Sequence, residues 1–130
     1  MKVVYAATPE QESHIEELIH YIYCEVFPLY FSDEEIMKLE ELKVLTHNED
    51  YYNGTLKEAF QLISSLQALI AVIETVKHET VLNNHREIFE KNVRTLDEFG
   101  YSFPFAIDQF TFTKEETLSK YSKAANHYLA

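Results

Sequence analysis

Residues 56–78 constrain the fold more than any other part of this 130-residue chain. Thr55 and Glu58 form a capping box, in which the two side chains satisfy free amides at a helix start. With about 100° between successive residues, apolar side chains then cover more than half of the helix circumference. They are Leu56, Ala59, Phe60, Leu62, Ile63, Leu66, Leu69, Ile70, Ile73 and Val76. A helix that is apolar so far round is a buried one, so we expect it at the centre of a bundle.

The remaining face of this helix carries small or uncharged side chains, namely Gln61, Ser64, Ser65 and Ala68. Small side chains let a second helix approach closely. That helix belongs either to the same chain or to a second copy of it, so a homodimer is one expectation.

The first of four further helices is predicted from its cap and its apolar repeat. Thr8, followed by Pro9 and Gln11, is typical of a helix start. Apolar residues then recur at helical spacing, at Ile15, Leu18, Ile19, Ile22 and Val26. Because proline lacks an amide hydrogen and crowds the preceding turn, we expect Pro28 to end this helix near Phe27.

The other three helices are predicted from similar signals. Ser32 opens a capping box before residues 36–45. Gly100 is a suitable stop for a helix that begins near Asn83. Thr113 caps a last helix, on which one side carries Leu118, Tyr121, Ala125 and Tyr128.

Residues 2–6 are the clear strand candidate, with residues 105–110 as the expected partner. A two-stranded ribbon is marginal by itself, so it is a minor addition to the fold. The predicted fold class is therefore mainly all-α. We expect a single domain, residues 1–130, with about five helices arranged as a bundle around the central one.

The charge of the chain limits the classes of partner that it can bind. It has 22 acidic and 11 basic side chains, a formal net charge of −11, and most of the excess lies in residues 1–58. Nucleic-acid binding requires clustered lysine and arginine, and the sequence has no such cluster, so we expect no nucleic acid. An acidic half favours a basic protein partner, although net charge also keeps small intracellular proteins soluble.

We expect neither a secretory signal nor a membrane span. The N-terminus turns polar too soon for a signal peptide. The longest uncharged run, residues 59–73, is shorter than the ~20 residues that a membrane-spanning helix needs. The predicted location is therefore cytoplasmic.

Glu17, His20 and Cys24 are the candidate metal ligands, because they lie close together on the first predicted helix. Glu-x-x-His is half of the motif that builds di-metal sites in helical bundles, but the second copy is missing. A zinc site from His20 and Cys24 would need two further ligands. We therefore expect a surface histidine beside a thiol, with no metal and no other cofactor.

A second polar group, Gln67 and Glu74, falls near Leu56 on the apolar side of the central helix. Buried polar groups need hydrogen-bond partners. The pair therefore indicates either a polar spot inside a ligand cavity or the edge of the helix at the core boundary, and the helix edge is the favoured interpretation.

The sequence contains no pattern that supports catalysis. Cys24 is the only thiol and adjoins Glu25, whose negative charge disfavours a reactive thiolate. No serine stands in a Gly-x-Ser-x-Gly elbow, and two glycines are too few for a phosphate-binding loop. We therefore assign no catalytic residue and favour a non-enzymatic protein.

Aromatic residues cluster at the bends around Pro28 and Pro104. Core packing is the favoured interpretation, since aromatic rings supply much of the bulk of a small core. The alternative is an interaction surface, because aromatic residues are enriched at interface centres. The candidates for that surface are Tyr30, Phe31, Tyr101, Phe103 and Phe105.

Three segments have distinctive amino-acid sequences: KVVYA at residues 2–6, EVFPLYFSDEE at 25–35 and NGTLKEAF at 53–60. With these segments the chain resembles the YhcU-like family of short proteins from bacilli. The resemblance covers most of the chain and implies a bacterial cytosolic origin. It assigns no catalytic or binding residue.

Two functional hypotheses remain. The first is a small acidic protein-interaction or regulatory module, whose partner is a basic protein or a second copy of the chain. The alternative is a helical bundle that binds a small molecule or a metal, through Gln67 and Glu74 or through Glu17, His20 and Cys24.

Overall fold

The computed structural model, which describes residues 6–46 and 54–116, places one long helix at the centre of the fold. This helix, α4 (Leu56–Val76), starts at Thr55, whose hydroxyl accepts a hydrogen bond from the Glu58 amide at 3.2 Å. It packs against both α1 (Pro9–Tyr21) and α5 (Asn83–Glu98). Its buried residues are Ala59, Leu62, Ser65, Leu66, Leu69, Val72, Ile73 and Val76. The predicted all-α fold with a buried central helix is confirmed.

One side of α4 remains open to solvent. Ser65 is buried, whereas Gln61 and Ser64 are exposed and Phe60 is 56% exposed. By length and mean hydropathy α4 is apolar enough to cross a membrane, a property shared by core helices of soluble proteins. Its contacts with α1 and α5 are those of a core helix. The homodimer on its open side stays a prediction.

The first helix does not end at Pro28. After α1 the chain forms a π-helical turn, Ile22–Val26, and continues into a short helix, α2 (Phe27–Tyr30). The amide of Phe27 donates to the carbonyl of Ile22, five residues back. The wider turn accommodates a proline ring that would collide with the backbone of a regular helix. The predicted end near Phe27 is therefore wrong by one helical turn.

The remaining helices begin where their caps predict. In α3 (Asp33–Glu41), Ser32 and Glu35 form the capping box, with the Ser32 amide donating to the Glu35 carboxylate at 3.0 Å. After α5, Gly100 has a φ of 81°, which favours glycine. Thr113 caps a turn at residues 114–116. The other residues predicted on that last helix, Leu118, Tyr121, Ala125 and Tyr128, lie outside the described residues.

The expected ribbon between residues 2–6 and 105–110 is corrected by the structure. Ala6 instead forms an isolated antiparallel bridge with Thr55, and the rest of the 2–6 segment lies outside the described residues. Residues 107–110 form a 3-10 turn, in which Gln109 accepts a hydrogen bond from the Ala106 amide at 2.8 Å. This local cap and the burial of Ile107 and Phe110 favour a turn over a strand.

The irregular segment between α5 and the 3-10 turn closes one end of the bundle with aromatic rings. Phe103 stacks on Phe27 and on Phe110, with centroid separations of 6.3 and 6.0 Å. Phe89 of α5 contacts the same cluster at 6.0 Å from Phe103. All four rings are almost completely buried. This packing fixes the position of Tyr101, which borders the cleft described next.

Candidate functional site

A cleft of about 650 Å³ lies between α1 with its π-helical turn and the C-terminal end of α3. Its floor is apolar and includes Ile15, Leu45 and Tyr101, each at most 5% exposed. Its rim is polar and consists of Glu12, Glu16, His20, Cys24, Glu40 and Thr46. An apolar floor with a few polar groups at the rim is the usual build of a binding site. We call this the acidic cleft.

The α1 wall of the acidic cleft is a single row of side chains. Glu12, Glu16, His20 and Cys24 are spaced four residues apart, so they share one face of the helix. Ile15, Ile19 and Tyr23 form a parallel row below them. At 1.5 Å per residue, the upper row is about 18 Å long. The acidic cleft is therefore elongated along α1.

The π-helical turn places Tyr23 and Cys24 at one end of the acidic cleft. The hydroxyl of Tyr23 donates a hydrogen bond to the carbonyl of Val44, which joins the two walls. Burial and, to a smaller extent, the nearby Glu40 carboxylate together raise the pKa of Tyr23 to about 12. Tyr23 therefore acts here as a neutral hydrogen-bond donor. Single π-turns inside α-helices are frequent at functional sites.

The loop after α3 forms the opposite wall with a strained backbone. Lys43 and Leu45 have φ values of 59° and 56°, a conformation that costs a non-glycine residue about 1–2 kcal/mol. The Leu45 amide donates to the Ser102 carbonyl at 2.8 Å, and the Val44 amide donates to the Leu39 carbonyl at 3.0 Å. Strain of this kind is concentrated at ligand-binding sites.

The lining of the acidic cleft has one sign of charge. Glu12, Glu16 and Glu40 contribute three carboxylates, and the described lining contains neither lysine nor arginine. Concave walls of one charge focus the electric field and attract ligands of the opposite charge. A lining of this kind can attract cations that also carry an apolar part for the floor.

The three candidate metal ligands are only partly brought together. Cys24 Sγ lies 3.5 Å from His20 Nε2, on the rim of the acidic cleft. Glu17 does not line the cleft, and Glu16 takes the corresponding place in the row. Across residues 6–46 and 54–116, no three His, Cys, Asp or Glu side chains form a metal-binding group.

Gln67 and Glu74 are both exposed, in agreement with the favoured interpretation of a helix edge, and the alternative of a buried polar spot is corrected. They lie at the edge of α4, where side chains reach solvent. Glu74 accepts a hydrogen bond from the Tyr21 hydroxyl at 2.9 Å. That hydrogen bond and the carboxylate charge raise the pKa of Tyr21. The contact ties α1 to α4.

The aromatic candidates pack mainly into the core. Tyr101 and Phe103 are buried, in agreement with the favoured interpretation of core packing, so the alternative of an open aromatic surface is corrected for these two rings. Tyr30, Phe31 and Phe105 are half-buried and pack against the core, with Phe31 and Phe105 5.4 Å apart. The physical reason is that the irregular segment turns its rings inward to close the bundle. Of the five, Tyr101 reaches the acidic cleft.

Comparison with known proteins places the chain among small proteins of one family. A family of unknown function, DUF5365, matches residues 1–115, and the chain belongs to it. The chain is also 44% identical over 110 residues to the uncharacterized protein YhcU of Bacillus subtilis (strain 168). That match covers 85% of this chain and 83% of YhcU. No solved structure matches the chain.

Proposed function

We propose that this protein is a non-enzymatic interaction module that binds a basic segment of another protein in the acidic cleft. The observation that carries the proposal is the lining: three carboxylates around an apolar floor, with neither lysine nor arginine among the described lining residues. A lysine or arginine side chain matches both features, because its methylene stem packs on apolar surface while its charged head stays at the rim.

Electrostatic matching also explains the uneven charge of the chain. The α1 and α3 walls belong to the first 58 residues, which carry most of the excess negative charge. Such a field accelerates the approach of a basic partner and disfavours acidic ones. A cytoplasmic location is part of the same proposal, since the partner is expected inside the cell.

A photo-crosslinking experiment tests this function. A photoreactive amino acid is placed at Thr46, on the rim of the acidic cleft, or at the control position Glu87, on the exposed side of α5. We expect the Thr46 variant alone to crosslink a distinct protein in extracts of the native cells, through a segment rich in lysine or arginine. Glu16→Lys in the same chain should abolish that product.

Three outcomes contradict the proposal. The first is equal crosslinking from Thr46 and Glu87, which would indicate non-specific contact. The second is a crosslinked segment without basic residues, and the third is crosslinking that Glu16→Lys leaves unchanged. A small cationic metabolite found bound to the intact protein by native mass spectrometry, and lost with Glu16→Lys, would instead support a small-molecule binding bundle.

A further inference from the structure

The acidic cleft constrains the conformation of its occupant as well as its charge. The walls that surround it are helices and the tight loop after α3. Their backbone amides and carbonyls are largely used within the helices, and no strand edge borders the described part of the cleft. An extended peptide would therefore find no backbone partners there. A helix satisfies its own backbone and needs only side-chain contacts from the groove.

The length of the acidic cleft sets the length of such a helix. The row from Glu12 to Cys24 extends along α1 for about 18 Å, the length of roughly three helical turns. A volume of about 650 Å³ is small for a whole helix and suits the inward-facing side chains of one. The occupant therefore lies along the groove, with its backbone outside and one face directed at the floor.

The positions of the carboxylates in the acidic cleft determine where the occupant carries charged and apolar side chains on its inward face. Glu12 and Glu16 lie toward the N-terminal half of α1, whereas Glu40 approaches Tyr23 from the opposite wall. Between them the floor is apolar, formed by Ile15, Ile19, Leu45 and Tyr101. Glu16 and Tyr23 are separated along α1 and its π-helical turn by about 10 Å, which equals two helical turns.

From this geometry, and resting on the function proposed above, we infer that the occupant of the acidic cleft is an amphipathic helix of a partner protein. It presents two basic residues, two helical turns apart, to Glu16 and to Glu40. The turn between them is apolar and packs on the floor. Both the spacing of the basic residues and the helical conformation contribute to the affinity.

A pair of designed peptides tests the spacing. The first is a capped peptide of about 14 residues, long enough for the three turns. It has lysine at its fourth and eleventh positions, leucine at the seventh and eighth, and alanine and glutamine elsewhere. The second has the same composition, with the eleventh-position lysine moved to the ninth position, on the other side of the helix. Binding is measured by titration of the isotopically labelled full-length protein, followed by backbone amide chemical shifts.

We expect the first peptide to bind roughly tenfold more tightly than the second, a difference that corresponds to one well-placed ionic contact. Glu16→Gln and Glu40→Gln should each remove most of that preference, whereas the matched control Glu87→Gln should leave it unchanged. A proline at the sixth position of the first peptide should abolish its advantage, because proline disrupts a helix interior.

The outcomes separate this inference from the proposed function. Equal binding of both peptides, weakened by Glu16→Gln, overturns the helical spacing and leaves basic recognition by the cleft intact. Absence of binding by either peptide, while Thr46 still crosslinks a basic segment in extracts, also overturns the helical inference alone. Binding that is insensitive to Glu16→Gln and Glu40→Gln, together with no specific crosslink at Thr46, contradicts both.

Discussion

The hydroxyl of Tyr23 donates a hydrogen bond to the backbone carbonyl of Val44, so that a π-helical turn in one helix is tied to the loop that follows another. Val44 is 1% exposed, and burying its carbonyl without a partner would be costly. The same hydrogen bond holds together the two walls of the acidic cleft.

Tyr23→Phe tests the energetic weight of this hydrogen bond. The ring still packs edge-on against Phe27, at a centroid distance of 4.9 Å, but the Val44 carbonyl loses its donor. We expect the free energy of unfolding to fall by about 1–2 kcal/mol, measured by urea denaturation. Tyr21→Phe is the control, because it removes an exposed contact with Glu74 and should change stability far less. Equal effects would contradict a structural role for the Tyr23 hydroxyl.

A pH-dependent contribution is expected from Arg86 and Asp108. Two guanidinium nitrogens of Arg86 donate to the two Asp108 oxygens, at 3.0 and 3.1 Å. These hydrogen bonds hold the pKa of Asp108 below its ordinary value. The pair therefore stabilises the fold above the unfolded-state pKa of about 3.9. That stabilisation is lost as the pH falls through the lower pKa of the folded state.

Asp108→Asn removes the pH-dependent stabilisation by this ion pair and leaves the other titratable groups in place. Above about pH 5 the variant should be less stable than the natural chain, and the difference should shrink as the pH falls below the Asp108 pKa. Thermal melts between neutral and acidic pH measure it. Asp97→Asn, on the exposed side of α5, is the control. A difference that grows in acid would refute the assignment.

The cap of α3 supports the wall that carries Glu40. Two hydrogen bonds with Ser32 lower the pKa of Glu35, the larger effect coming from the Ser32 amide and the smaller from its side chain. We expect Ser32→Ala to cost about 1 kcal/mol of stability, the usual contribution of an N-cap side chain. Chemical denaturation gives the value, and Ser13→Ala, on the exposed face of α1, supplies a serine whose loss should be nearly neutral.

The central helix gives a sharp contrast between two large residues. Leu66 is completely buried, whereas Phe60 is 56% exposed. Leu66→Ala should leave a cavity and cost about 2–5 kcal/mol. Phe60→Ala removes a larger side chain but should cost less than about 0.5 kcal/mol, since surface substitutions have small effects. If Phe60→Ala destabilised the protein in a concentration-dependent way, Phe60 would belong to a contact between copies.

Local chemistry explains which helices the sequence could predict. Thr8, Ser32 and Thr55 each form the predicted cap, because the interaction involves residues three positions apart. The apolar repeat of α4 likewise identifies a helix buried against several others. In contrast, the π-helical turn before Pro28 depends on packing around Ile22 and Phe27, both completely buried. No local signal in the sequence distinguishes it from a helix end.

One wall of the acidic cleft can be predicted from the sequence. The four-residue spacing of Glu12, Glu16, His20 and Cys24 predicts a shared helix face, but the Glu-x-x-His pattern indicates Glu17 instead of Glu16. The opposite wall comes from Glu40 and Leu45, and part of the floor from Tyr101. These residues meet only through the tertiary fold, so their proximity has no sequence signature.

The hydrogen bond from Leu45 to Ser102 spans the whole of α4 and α5 along the chain. Contacts between residues so far apart form late, because the intervening chain must first be ordered. The acidic cleft is therefore a product of the finished fold. A fragment that stops at the end of α5 would keep both helical walls yet lack Tyr101 and the Ser102 carbonyl that anchors the strained loop. Under the proposed function, binding in the acidic cleft would then report completion of folding at the C-terminal side of the domain.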